Sequence, residues 1–192
     1  MSESFDVVDL LAIVGDGASA EQAFGCTTID VPAPGWEAAA RGIRDDRRTA
    51  CGFFDWLSAY DDLDRGLAIV AHVWSQAHRR SVLLRAHVDR ADAQIASLTG
   101  VWTGADWHER ETFEMFGVVF TGHPHLVPLL LPDGFEGNPL RKEFVLASRA
   151  AKPWPGEVEP TRPEAAGEGG GAARRARRRS VPPGVPADWG QR

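Results

Sequence analysis

Cysteine is nearly missing from this chain: its 192 residues include only Cys26 and Cys51. Iron–sulfur clusters take about four thiolates at short characteristic spacings, so neither the number nor the separation of these two fits one, and they read as buried free thiols. No apolar run approaches the roughly 20 residues that cross a bilayer as a helix, and no basic flank precedes the apolar stretch near the N-terminus. The expectation is a soluble chain that is not exported. An excess of cations is missing as well. The formal net charge is −6, and residues 1–150 alone carry 22 Asp and Glu against 13 Lys and Arg. That balance argues against nucleic acid as the main partner, because binding a phosphate backbone rests on clustered cations. Leu, Ile, Phe and Tyr are absent from residues 151–192, which hold seven Pro and seven Gly. Such a segment cannot bury enough apolar surface to offset the entropy of ordering it, and it is expected to be a Pro/Gly/Arg-rich disordered tail. Its basic cluster, Arg174-Arg175-Ala176-Arg177-Arg178-Arg179, reads as part of that solvated tail.

Residues 1–150 have the size of one domain, enough to bury roughly 70% of the surface that the unfolded chain exposes. Val7, Leu10, Leu11 and Val14 recur at helical spacing over residues 4–14 and are closed by Gly15. Residues 26–31 read as a short strand, 36–44 as a helix entered through Pro34, and 53–60 as an apolar run of ambiguous type. Two strand-like runs, 67–74 and 81–88, flank a polar turn and make the clearest hairpin. Asp89 is placed to cap a short helix over 91–98. Asp106 is placed to cap another over 106–116, with Glu109 completing a capping box and Gly117 supplying the left-handed stop. Helices interspersed with short strands predict a two-layer α+β domain with a small mixed sheet over residues 1–122. Residues 123–150 keep neither period, and their Pro and Gly predict an extended arm that lies on something else.

Several clusters invite a chemical reading. Gly15-Asp16-Gly17-Ala18-Ser19-Ala20 fits the dinucleotide fingerprint, but that motif needs a strand before it and a long helix after it. Here a helical period precedes and a strand follows Gly25, so the segment reads as a helix cap and loop. Glu109, Glu111 and Glu114 crowd one helix. Acid–base chemistry needs two carboxyls in different environments, and metal sites usually recruit His, so Glu109 is assigned to the cap and Arg110–Glu114 to a surface pair four residues apart. His123-Pro124-His125 offers too few ligands for zinc, and Asp61-Asp62-x-Asp64 reads as a turn rather than a calcium loop. His72 and His87 read as satisfied hairpin histidines, and Trp74, Trp102 and Trp107 as packing residues. No catalytic, cofactor-binding or metal-ligating set is predicted.

The densest information lies in residues 101–144. Trp107-His108-Glu109-Arg110-Glu111 is followed by Glu114-Met115-Phe116-Gly117 and Gly122-His123-Pro124. Leu131-Pro132-Asp133 and Glu136-Gly137-Asn138-Pro139-Leu140-Arg141-Lys142 come next. These blocks, in this order and at these separations, resemble the C-type subunits of the proton-pumping NADH-quinone oxidoreductases, the respiratory complex I family. The resemblance is clearest over 98–144 and weaker over 53–88. Val127-Pro128 stands where the family usually has a basic pair, Phe113 where tyrosine is common and Asn138 where histidine is common, which marks a divergent branch.

The resemblance implies a cofactor-free scaffold subunit, peripheral on the cytoplasmic side of the cell membrane. It would pack foremost against the D-type subunit, and against the B-type and I-type subunits, beside the quinone cavity. Electrons from NADH would reach quinone through FMN and iron–sulfur clusters held in other subunits, coupled to proton translocation, and this chain would meet quinone only indirectly. The implied partner interface is Glu109, Arg110, Glu111, His123, Pro124, Pro139, Leu140, Arg141 and Lys142. Chemically, an extended arm offers backbone for a partner to satisfy, Arg141 a planar fork for a carboxylate and Lys142 a point charge. Leu126, Leu129, Leu130, Leu131 and Phe135 would add buried area. Two alternatives stand beside it: the equivalent subunit of a related complex linked to ferredoxin, deazaflavin or a membrane hydrogenase, and a stand-alone metal-dependent hydrolase using residues 109–125.

Overall fold

Alternation along the two longest apolar runs builds the sheet. In β5 (Arg80–Val88), Val82, Leu84, Ala86 and Val88 are buried, while Ser81, Leu83, Arg85 and His87 are half-buried on the opposite face. β4 (Gly66–Ser75) pairs with it antiparallel, from Leu67 opposite Val88 to Ser75 opposite Arg80. The ambiguous run becomes β3 (Phe53–Asp62), antiparallel to β4 with an irregularity between Phe54 and Trp56. On the other flank β2 (Cys26–Asp30) runs parallel to β5, and β1 (Ser19–Ala23) closes the edge antiparallel to β2. The order is β1-β2-β5-β4-β3, a mixed five-stranded sheet. The computed structural model describes residues 4–145 of the 192, and they belong to one compact unit.

Two helices supply the second layer. α1 (Val7–Val14) begins where the Asp6 carboxylate accepts the Val8 N–H at 2.8 Å, three residues later than expected, and ends at Gly15, whose N–H reaches the Leu11 carbonyl. α2 (Trp36–Asp45) follows a 3₁₀ turn, Ala33–Gly35, that carries proline at its start. Leu10, Trp36, Ala39, Ala40 and Ile43 share one core with Ile29, Leu57, Ile69, Val73 and Val82. Burying each large side chain stabilises the fold by about 1.5–3 kcal/mol. A smaller unit completes the chain: β6 (Gln94–Ala96) and β7 (Val119–Thr121) pair in parallel, and α3 (Ala105–Phe116), the crossover between them, packs against β3. The two-layer α+β architecture with a small mixed sheet is therefore as expected. Among the described residues no helix is long and apolar enough to cross a membrane.

Three local readings differ. Residues 91–98 form a turn and β6 instead of a helix. The Asp89 carboxylate does accept the Ala91 N–H at 2.8 Å, but it caps a turn, because pairing with β7 and burial of Ile95 favour the extended form. β1 has no counterpart among the expected strands because its residues lack hydrophobic alternation. It exists through the two-residue turn Phe24-Gly25, with φ of 53° and 77°, the backbone of a type I′ hairpin. Left-handed backbone costs a non-glycine residue about 1–2 kcal/mol. Trp107, expected to pack, is 67% exposed, whereas Trp102 is buried and donates its indole N–H to the Cys51 carbonyl at 3.2 Å. Cys51 is buried and Cys26 half-buried, and both thiols are free. Residues 146–192, with the expected tail and its arginine run, lie outside the described residues.

Gly66 opens β4 at a φ of 94°, and a Cβ there would meet the Val88 carbonyl oxygen at 2.3 Å. Neither atom belongs to a flexible side chain. Gly66→Ala is expected to destabilise the chain by about 3 kcal/mol, read as a lower urea midpoint, whereas Gly52→Ala, in open space, serves as the control.

Candidate partner interface

α3 starts at Ala105 behind Gly104, with no side chain capping it. Asp106 therefore lies inside the first turn, where its charge complements the helix dipole, and the expected capping box does not form. Glu109 turns away from the helix end into the core. It is wholly buried, and its oxygens accept the Leu98 N–H at 2.5 Å and the Ser97 hydroxyl at 2.6 Å. A buried carboxylate needs such partners, and the loop at 97–99 supplies them where water cannot reach. Burial pushes the Glu109 carboxyl up to about 7; the bonds from Ser97 and Leu98 pull the other way, and the nearby Asp106 charge adds to the rise. His123 Nε2 stands 4.0 Å from Glu109 Oε2 and 3.0 Å from Asp106 Oδ1. Because His123 Nδ1 accepts the His125 N–H at 3.0 Å, the ring proton is assigned to Nε2, which meets the Asp106 carbonyl at 3.2 Å.

The rest of α3 holds the arm. Arg110 does not pair with Glu114. Its fork donates to the Val127 and Pro128 carbonyls at 3.0 and 3.1 Å, so the unusual Val127-Pro128 still engages through backbone that any side chain would leave available. Glu114, also buried, accepts the N–H groups of Leu129, Leu130 and Leu131 at 2.8–3.1 Å. A cleft of about 390 Å³ opens between helix and arm, lined by Phe113, Glu114, Pro128, Leu131, Phe135 and Asn138 among others.

A helix leaves its last four carbonyls without intrahelical partners. Here all four are satisfied. Phe113 O takes the Gly117 N–H at 2.8 Å, Glu114 O the Asn138 side-chain amide at 2.9 Å, Met115 O the Leu140 N–H at 3.1 Å and Phe116 O the Arg141 Nε–H at 2.5 Å. Arg141 adds a positive charge at the negative end of the dipole. Gly117 has a φ of 72°, and a Cβ there would lie 2.7 Å from Asn138 Oδ1, so only glycine lets this cap close. Beyond it the Lys142 N–H donates at 2.9 Å to Asp61, which is also ion-paired with Arg90. The Lys142 bond is the first reason that the Asp61 carboxyl lies below its ordinary value. Asp61, expected in a turn, instead lies in β3 paired with Leu67 and anchors the arm; the turn itself is confined to residues 63–65.

The expected interface residues divide accordingly. Glu109 and the His123 side chain are enclosed, Pro139 is half-buried, and Arg110 and Arg141 direct their forks to carbonyls of their own chain. Glu111, Pro124, Leu140 and Lys142 are exposed. Of the arm's leucines expected to supply buried area, Leu126 packs on the core while Leu130 is 61% exposed. Sequence reasoning missed the anchoring roles of Glu114, Asn138 and Asp61. A carboxylate facing an arm rich in unpaired N–H groups was the available signal for Glu114; nothing local pointed to Asp61, 81 residues from Lys142. Among the described residues no three His, Cys, Asp or Glu side chains converge as a metal site.

Residues 29–150 match the family model described as the 30 kDa subunit of respiratory-chain NADH dehydrogenase. Over 111 residues the chain is 43% identical to the NADH-quinone oxidoreductase C subunit of Roseiflexus sp. strain RS-1, a match that covers 57% of this chain and 64% of that relative. The chain thus spans somewhat less than two thirds of its relative's length. It is 42% identical over 81 residues to the NADH-quinone oxidoreductase C/D subunit of Psychrobacter cryohalolentis, covering 42% of this chain and 14% of that one. A chain of the membrane-bound sulfane sulfur reductase, an archaeal respiratory membrane complex, shares the fold, with a TM-score of 0.61 at 19% identity over 73% of this chain and 84% of that chain.

Two outcomes are expected from this geometry. The Glu109 carboxyl is raised in the folded chain from 4.5 to about 7, so the folded state holds a proton there that the unfolded state has lost. The stability it contributes is full below pH 4.5 and is lost as pH rises to about 7, by at most about 3 kcal/mol. Urea unfolding of wild type and Glu109→Gln across that range should give curves that diverge with pH; parallel curves would mean an ordinary carboxyl. Separately, Arg141→Ala should lower the stability of the isolated chain by about 1.5–3 kcal/mol, because the Phe116 carbonyl loses a charged donor. Lys142→Ala, whose contact is made by backbone, should change it by less than about 0.5 kcal/mol.

Proposed function

We propose, because the chain belongs to the family of the 30 kDa subunit of respiratory-chain NADH dehydrogenase, that it is a non-redox scaffold subunit in the peripheral arm of a membrane-associated NADH-quinone oxidoreductase. Electrons from NADH pass to quinone through FMN and iron–sulfur clusters in other subunits, coupled to proton translocation, and this chain stabilises the module from the cytoplasmic side. Its partners are the D-type subunit, foremost, and the B-type and I-type subunits. A relative whose name joins C and D in one polypeptide supports the D type as the neighbour.

The observation that carries this reading is the division of labour at α3. Arg110, Glu114 and Arg141 are engaged by the chain's own arm and helix end, and among what the arm and helix leave outward are the large apolar side chains of Trp107, Val127, Leu130, Phe135 and Leu140, all exposed. Exposed large apolar side chains on a segment held in a fixed shape suit a preorganised protein interface, since little ordering entropy remains to be lost on docking. The same surface suits a complex fed by another electron donor, and the co-purifying subunits distinguish the two.

The test is recovery of the tagged chain from membranes of its own organism, with identification of the bound subunits and assay of NADH-to-quinone turnover. The double variant Trp107→Ser, Leu130→Ser is expected to melt within about 2 °C of wild type when isolated, since both side chains are exposed. It should yield at least about tenfold less complex, with unchanged turnover per assembled copy. Full assembly with abolished turnover, or a wild-type chain recovered alone and active on its own, would overturn the scaffold reading.

A further inference from the structure

Phe24 is fully exposed at the tip of the β1–β2 hairpin, and it holds a left-handed backbone with a φ of 53°. A bulky residue takes that conformation only under strain, and the first central position of a type I′ turn favours Asn, Asp or Gly. Phenylalanine there serves neither the turn nor solubility. The hairpin that carries it is nonetheless firmly placed. Gln22 Nε2 donates to Ser4 Oγ, the Phe5 carbonyl and Thr27 Oγ1 at 3.0–3.3 Å, and β2 is paired on its far side with β5. β1 and the turn precede residue 29, where the match to the family model begins.

We propose that Phe24 is an anchor: the hairpin tip seats this ring in an apolar pocket of another protein subunit of the assembly proposed above, on which reading the inference rests. A rigid tip presenting one aromatic side chain has the form of an interface hot spot, where a buried ring carries much of the affinity and little order remains to be imposed. A lipid surface is the poorer host. Even a myristoyl chain gives only marginal membrane binding, and one ring flanked by Ala23, Gly25 and Cys26 brings far less apolar surface. Residues 1–40 carry seven acidic residues and no Lys, Arg or His, which anionic headgroups repel. Arg79 and Arg80, the cations that the β4–β5 turn brings to this end of the sheet, are engaged within the chain.

The strain gives the test two readouts of opposite sign. Phe24→Asn relieves the backbone, so the isolated chain is expected to melt about 2–4 °C higher. In membranes the same variant should be recovered with the complex at least about tenfold less than wild type, and Phe24→Leu, which keeps an apolar tip, should restore most of the loss. A benzophenone side chain introduced as Phe24→p-benzoylphenylalanine should crosslink to one protein subunit of the purified complex. Wild-type assembly matched by Phe24→Asn, crosslinks to lipid, or a crosslinked dimer of this chain would overturn the anchor and leave the scaffold reading standing. A wild-type chain found with no membrane complex would overturn both.

Discussion

The C-terminal end of α3 is the constraint on which the rest of the functional region depends. A helix end cannot be buried with its carbonyls unmet, and this one recruits three of its four donors from residues 138–141, more than 20 positions downstream. The arm therefore takes its path from the helix, and the helix keeps its last turn because of the arm. Glu114 and Arg110 repeat the arrangement along the flank, one accepting backbone N–H groups and the other donating to backbone carbonyls. Helix and arm thus form a cooperative unit in which removing one donor exposes an unpaired group on the other.

This changes what the motif residues mean. Glu-Arg-Glu on the helix and Leu-Arg-Lys on the arm look like charges set out for a partner, yet most of that charge is neutralised or bonded within the chain. An interface built on what remains combines apolar contact with exposed charges such as Glu111 and Lys142. Desolvated interfacial charges cost much and contribute mainly specificity, so internal use of the arginine forks leaves a surface that is easier to bury.

Glu109 shows how the same helix meets the core. It sits where a leucine would pack, and its carboxyl is tolerated because Ser97 and the Leu98 N–H meet it. These bonds hold the loop at 97–99, which follows directly from β6, against α3, so the crossover from β6 to β7 is pinned near its start. The acid is raised toward neutrality because burial outweighs the bonds that favour its charge.

Local signals were enough for the α+β class, for β4 and β5 as a hairpin, for α1, α2 and α3, and for the left-handed stop at Gly117, because these follow from local alternation, helical spacing, terminal proline and the unique backbone freedom of glycine. The ordered blocks of residues 101–144 were enough for the family. Tertiary structure decided the rest. β1 has no pattern of its own and exists through a turn and a neighbour, and residues 94–96 became a strand because β7, more than 20 residues on, offered a ladder. Carboxylates and guanidinium groups carry no mark of their partner in the sequence, since hydrogen bonds form between whatever the fold brings within about 3 Å. That is why spacing alone points Glu109 to a cap, Arg110 to Glu114 and Arg141 to another protein, and why only the folded chain could place them on a loop, an arm and a helix end.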